Sequence, residues 1–91
     1  PGRTPSIASA RPNPTTDGGI DVSFTLADDS PARLEVLDVA GRAMETHDLS
    51  GLGQGQHQIR LGTRKALPPG HYRVRILQGG RTATRVVIVI R

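Results

Sequence analysis

The stretch Leu34-Glu35-Val36-Leu37-Asp38-Val39-Ala40-Gly41-Arg42 reads as a strand, a tight turn and the start of a return strand. Ala32, Leu34 and Val36 alternate with Arg33 and Glu35, the period of two that marks a half-buried strand. The Asp38 carboxylate can fold onto backbone amides two residues on, and Gly41 can take the positive φ that closes the turn. The rest of the chain repeats this grammar of short alternating strand and glycine-bearing turn.

Upstream, Ile20, Val22, Phe24 and Leu26 alternate with Asp21, Ser23 and Thr25, apolar on one face and polar on the other. Asp28-Asp29-Ser30-Pro31 forms a turn cluster between this strand and the next. Arg11-Pro12-Asn13-Pro14 is barred from a central strand, because two prolines remove two backbone donors. Residues 6–10 are expected as a short, weak edge strand behind a proline-bearing leader. The expected division is therefore leader and edge strand over 1–10 and one sandwich domain over 11–91.

Downstream, the return strand over 42–49 carries only Ala43, Met44 and Leu49 as apolar residues, the pattern of an exposed edge. Residues 50–55 hold three glycines and form a loop. His57, Ile59 and Leu61 alternate with Gln58 and Arg60 in another strand, and 62–67 is irregular. Pro68-Pro69-Gly70 fits a type II turn, with proline presetting φ and glycine supplying the positive one. Tyr72, Val74 and Ile76 alternate with Arg73 and Arg75. Gly79-Gly80 is a hairpin connection. The last strand ends in Val86-Val87-Ile88-Val89-Ile90, apolar on both faces.

No segment shows an apolar 3.6-residue period long enough for a helix. Six or seven evenly spaced strands with turn signals between them predict an all-β, immunoglobulin-like antiparallel β-sandwich of about seven strands. The expected core is Ile20, Val22, Phe24, Leu26, Leu34, Val36, Ile59, Leu61, Tyr72, Val74, Ile76, Val86 and Ile88.

Composition narrows the function. The 91 residues suit one domain. There is no cysteine, so there is neither a disulfide framework nor a thiolate metal site. No apolar run approaches the roughly 20 residues that span a bilayer. The chain opens without an initiator methionine or a visible signal peptide, which suits a piece of a longer precursor. The net charge of +4 comes with twelve basic residues, all arginine except Lys65. Phe24 and Tyr72 are the only aromatics, which argues against nucleic acid as a partner, since single strands need stacking platforms beside the charge.

Candidate chemistry is sparse. His47, His57 and His71 fall on three separate elements without metal-motif spacing. No serine sits in a nucleophile elbow, and no glycine-rich loop precedes a helix. Neither a cofactor nor catalysis is expected. Asp28-Asp29 reads as a solvated turn, with calcium the alternative that carboxylate-bearing loops allow. Arg73, Arg75, Arg81 and Arg85 fit a basic ladder on one sheet face, either paired across strands with Glu35 or open to an anionic partner. Tyr72 follows a Pro-Gly turn and reads as a structural cap with its hydroxyl on backbone, like a tyrosine corner.

Four pieces taken in order resemble a known family. They are Pro12-Asn13-Pro14 before the first clear strand, Leu37-Asp38-Val39-Ala40-Gly41-Arg42 at the central hairpin, Leu67-Pro68-Pro69-Gly70-His71-Tyr72 before the penultimate strand, and Arg85 entering the final apolar strand. The pattern, over residues 11–91, resembles the C-terminal sorting domains of type IX (Por) secretion cargo. It equally resembles the immunoglobulin-like domain of the flagellar hook-capping protein. The resemblance implies a seven-stranded sandwich on a secreted, surface-bound bacterial protein. It also implies an outer-membrane translocon, or a neighbouring domain of the same precursor, as partner. Asp38, Gly41, Arg42, Tyr72, Arg85 and Arg91 are its expected recognition residues, with Pro69, Gly70, Gly79 and Gly80 shaping the turns. Two positions depart from the family pattern: Leu37 stands where an aromatic is usual, and Arg85 where lysine is frequent. The other reading is a stalk module or fibre subunit that self-associates through strand edges. A carbohydrate-binding module is disfavoured by the lack of aromatic platforms.

Overall fold

The computed structural model describes residues 4–12, 16–63 and 65–90. Asn13, Pro14 and Arg91, which the sequence reading singled out, lie outside the described residues. Within them are seven strands and no helix: β1 (Ser6–Arg11), β2 (Ile20–Leu26), β3 (Ala32–Leu37), β4 (Ala43–Asp48), β5 (Gly55–Leu61), β6 (Gly70–Gln78) and β7 (Arg81–Val89). They form two antiparallel sheets, ordered β1-β2-β5 and β4-β3-β6-β7. The sheets pack face to face as a β-sandwich.

Alternation decides which side chains meet between the sheets. Ile20, Val22, Phe24 and Leu26 of β2 are buried against Leu34 and Val36 of β3 and Tyr72, Val74 and Ile76 of β6. His57 sits opposite Phe24, ring centroids 5.7 Å apart, and closes the core beside the half-buried Ile59. Ile7 and Ala10 of β1 also join the core, so the short edge strand contributes to it. So do Leu49, just past β4, and Leu67, in the irregular segment before β6.

The last strand faces opposite to expectation. Tyr72 pairs with Val87 and Gly70 with Val89, and opposed residues share a face. Val87 and Val89 are therefore the core residues, while Val86 is 53% exposed and Ile88 lies on the outer face. A run that is apolar at every position carries no alternation to fix its facing; the hairpin register does.

The same register dissolves the arginine ladder. Arg73 and Arg75 pair with Val86 and Thr84 on the outer face, whereas Arg81 and Arg85 pair with Gln78 and Val74 on the inner one. Arg75 meets Glu35 directly across β3, with Nη2 donating to Oε1 at 2.7 Å.

Turn chemistry follows the glycines. Gly79 and Gly80 have φ of 56° and 77° and make the two-residue connection of β6 to β7. Gly70 has φ of 155°, far from the value near +80° of a type II turn. It is the first residue of β6 and not a turn corner, so the type II assignment at Pro68-Pro69-Gly70 does not hold.

Candidate recognition surface

The Asp38 turn is built by one carboxylate. The Asp38 carbonyl accepts from Gly41 N–H at 2.9 Å, and Asp38 N–H donates to the Arg42 carbonyl at 2.9 Å, closing the hairpin. Oδ1 accepts from the N–H groups of Ala40 and Arg42, each at 2.9 Å. Oδ2 accepts from Arg42 Nε, also at 2.9 Å. Gly41, with φ of 84°, supplies the left-handed residue that returns the chain to β4. These donors hold the Asp38 carboxyl below its ordinary range, the Arg42 backbone amide contributing most.

Tyr72 stands beside this turn. Its ring is buried, and its hydroxyl donates to the Pro68 carbonyl. Burial, and then the Asp38 charge, push its hydroxyl pKa above the usual 10.0. Asp38, Val39, His71, Tyr72, Arg73 and Val86 line a shallow groove of about 360 Å³. Val39, at the tip of the turn, is 84% exposed, and Arg42 stands mostly in solvent. The groove thus joins exposed valines to a rim that is cationic at Arg73.

The structure brings Asp38, Gly41, Arg42 and Tyr72 together at this end of the sandwich. Arg85 lies apart from them. It lines a second groove with residues 8–12 and Asp21, and its guanidinium reaches β1. Gly79 and Gly80 lie at the far end of β6, and Pro69 and Gly70 lead into its near end. The histidines stay separate: His47 bonds Glu45, His57 bonds the Gly53 carbonyl, and His71 rims the groove. Among the described residues no three His, Cys, Asp or Glu side chains cluster as metal ligands. Asp28 Oδ1 accepts from Ser30 N–H at 2.8 Å, and Asp29 Oδ1 from Gln54 N–H at 2.7 Å.

Two features escaped the sequence reading, the buried amide of Gln78 and the bonds of Arg85 to β1. Gln78 is a buried polar side chain whose Oε1 accepts from Ala27 N–H at 2.8 Å. Its Nε2 donates to the Asp28 and Ser30 carbonyls, each at 3.0 Å. Its place in the alternation of Tyr72, Val74 and Ile76 was the available signal. Arg85 Nη2 donates to the Ile7 carbonyl at 2.6 Å and reaches the Ala8 carbonyl at 3.4 Å. Those carbonyls lie where the β1–β2 register shifts between Ile7 and Ser9, an irregularity no pattern of side chains announces.

Comparison with known proteins agrees with this architecture. The chain superposes on part of a Faecalibacterium prausnitzii β-glucuronidase with a TM-score of 0.59 at 17% identity. That match covers 93% of this chain but 14% of the glucuronidase. It also superposes on the CARDB domain of a Pyrococcus furiosus protein, solved in complex with di-metal ions. There the TM-score is 0.52 at 13% identity, covering 96% of this chain and 86% of the other. At such identities the likeness is one of fold alone. No curated protein matches the chain in sequence. Residues 9–90 match the secretion system C-terminal sorting domain, and with nearly every described strand inside that match, the chain belongs to this family of type IX sorting domains, which mark proteins for secretion and attachment at the cell surface.

Proposed function

We propose that this domain performs its sorting role without catalysis, by presenting the Asp38 turn and the adjoining groove to the secretion machinery. The family match over residues 9–90 carries the reading. The rigid turn supports it, because a surface that is recognised must be held in one shape before binding. Val39 and Val86 supply apolar contact area, and Arg42 and Arg73 supply charge. Arg85 stands apart from this surface and ties β7 to β1. A translocon component is the partner that fits; a neighbouring domain of the same precursor and self-association through a strand edge are further contacts of the module.

The test is a reporter carrying a signal peptide and ending in this domain, expressed in a type IX-competent host. The wild-type fusion is expected at the cell surface. Val39→Asp combined with Arg42→Glu is expected to leave the fusion folded in the periplasm. A folded wild-type fusion that stays in the periplasm defeats the sorting role for this chain. Normal delivery of the double variant defeats only the assignment of the recognition surface.

A further inference from the structure

Register sets the outer face of the four-stranded sheet in rows, because opposed residues share a face. One row runs Thr46, Glu35, Arg75 and Thr84 across β4, β3, β6 and β7. Its charges are settled: Arg75 Nη2 donates to Glu35 Oε1 at 2.7 Å, and Arg33 Nε stands 3.4 Å from Oε2. The next row runs Ala43, Leu37, Arg73 and Val86. Here Leu37 is buried on the outer face, apart from the core between the sheets, and Val86 is exposed. Ile88 follows Val86 on the same face, and Val39 and Ile90 stand exposed at the same end of the sheet. Exposed apolar side chains gathered in this way mark a surface that another molecule covers.

Arg73 stands in the middle of this patch, exposed and, among the described residues, without an acceptor. The chain has none to spare. Each of its eight side-chain carboxylates already accepts a hydrogen bond from the chain itself. A second copy is equally short of free carboxylates. A partner that covers the patch takes Arg73 out of water, and a buried cation left without a counter-charge is costly. The covering molecule must therefore bring the anion. A lipid surface suits a cluster of bare cations, whereas Arg33, Arg42 and Arg75 each share a carboxylate.

We propose that this face docks an acidic segment of a partner protein. One carboxylate of that segment meets the Arg73 guanidinium, and apolar side chains on either side of it pack on Val39 and Val86, along the groove these residues line. The planar guanidinium can take both oxygens of one carboxylate, which fixes orientation as well as charge. That the partner belongs to the secretion machinery rests on the sorting role proposed above; the docking of a carboxylate does not.

The probes are two peptides, acetyl-Val-Glu-Val-amide and acetyl-Val-Gln-Val-amide, titrated into the chain and followed by the Arg73 Nε–H and Val86 amide resonances. The glutamate peptide is expected to bind at least about tenfold more tightly than its neutral twin. Arg73→Gln is expected to keep the fold, as a surface substitution does, and to erase that preference. Arg81→Gln, at the far hairpin, is expected to preserve it. In the reporter fusion, Arg73→Glu is expected to leave a folded protein in the periplasm, and Arg73→Lys to keep part of the delivery.

Equal binding of the two peptides overturns the proposal, and so does a preference that survives Arg73→Gln. A face that binds phosphatidylglycerol vesicles through Arg73 but neither peptide is a membrane surface, which also overturns it. So do shifts at Arg73 and Val86 that grow with chain concentration alone, since they make a second copy the occupant. Normal delivery of Arg73→Glu removes the secretion machinery as the partner of this face and leaves the sorting role standing. Peptide discrimination through Arg73 in a chain whose wild-type fusion is never delivered upholds the carboxylate site and defeats the sorting role instead.

Discussion

The guanidinium of Arg85 donates to the carbonyl oxygen of Ile7 at 2.6 Å, so the last strand of one sheet holds the first strand of the other. The position is on the inner face of β7, at the margin where the sandwich is open to solvent. A charge-assisted bond to a carbonyl contributes about 1.5–3 kcal/mol, and less where water competes. Arg85→Ala is expected to lower stability by about 1 kcal/mol, and Arg85→Lys by less, since the ammonium retains a donor. Denaturant midpoints at unchanged slope read this directly. An Arg85→Ala midpoint equal to wild type removes the strand-holding role. The basic-ladder reading gives Arg85 no contact with β1; its bonds to the Ile7 and Ala8 carbonyls supply one, and any export defect of an Arg85 variant has to be read beside its stability.

The facing of β7 yields a sharper contrast. Val87 is fully buried and Val86 is 53% exposed, although they are neighbours of one residue type. Val87→Ala removes buried methyl groups and leaves a void, for about 2 kcal/mol. Val86→Ala is expected within about 0.5 kcal/mol of wild type. Equal costs, or the reverse order, mean that the β6–β7 register is wrong. Phe24→Ala, at about 3–5 kcal/mol, calibrates the scale, because that ring is 1% exposed.

These two cases show where the sequence speaks. Strict alternation made β2, β3 and β6 legible, because each strand has one wet face. Asp38 and Gly41 were legible because turn geometry demands particular chemistry at those positions. Val86 and Val87 were not, since an all-apolar strand is the same on both faces until its partner is known. Arg85 was not, since its acceptors lie on a strand far away in sequence. Leu49, read as part of an exposed return strand, and Leu67, in an irregular segment, escaped the core because neither sits in a run of apolar alternation. The chemistry of Tyr72 could be read from one proline-glycine pair, whereas its proximity to Asp38 required the fold.

Gln78 supplies a third measurement. Its amide holds the β2–β3 loop through Ala27, Asp28 and Ser30. Gln78→Leu keeps the volume and burial but removes all three bonds. Losing the partner of a buried polar group costs about 1–3 kcal/mol. Carbonyls near the surface recover water, so a total of about 2–3 kcal/mol is expected. For a domain of this size that is a fall of about 10 °C or more in Tm. A Tm within about 2 °C of wild type means that the loop is not held by Gln78.

The proximity of Tyr72 and Asp38 is measurable because Tyr72 is the only tyrosine. Folding lowers the Asp38 pKa from 3.8, chiefly through the Arg42 amide. Its contribution to stability is therefore present above pH 3.8 and lost as the pH falls through the folded value. The amide resonances of Ala40 and Arg42 are expected to titrate with a midpoint below 3.8, in step with the Asp38 carboxyl. At the other end of the scale, folding raises the Tyr72 pKa above 10.0, first by burial and then by the Asp38 charge. The protonated phenol is the form the fold favours, so that contribution is full below pH 10.0 and is lost as the pH rises through the folded value. Phenolate absorbance is expected to show a midpoint above 10.0 in the folded chain. Asp38→Asn is expected to move that midpoint part of the way back, because burial is the larger cause and survives the substitution. A wild-type midpoint at or below 10.0 contradicts the buried, hydrogen-bonded phenol. An Asp38→Asn midpoint identical to wild type contradicts its electrostatic contact with the turn.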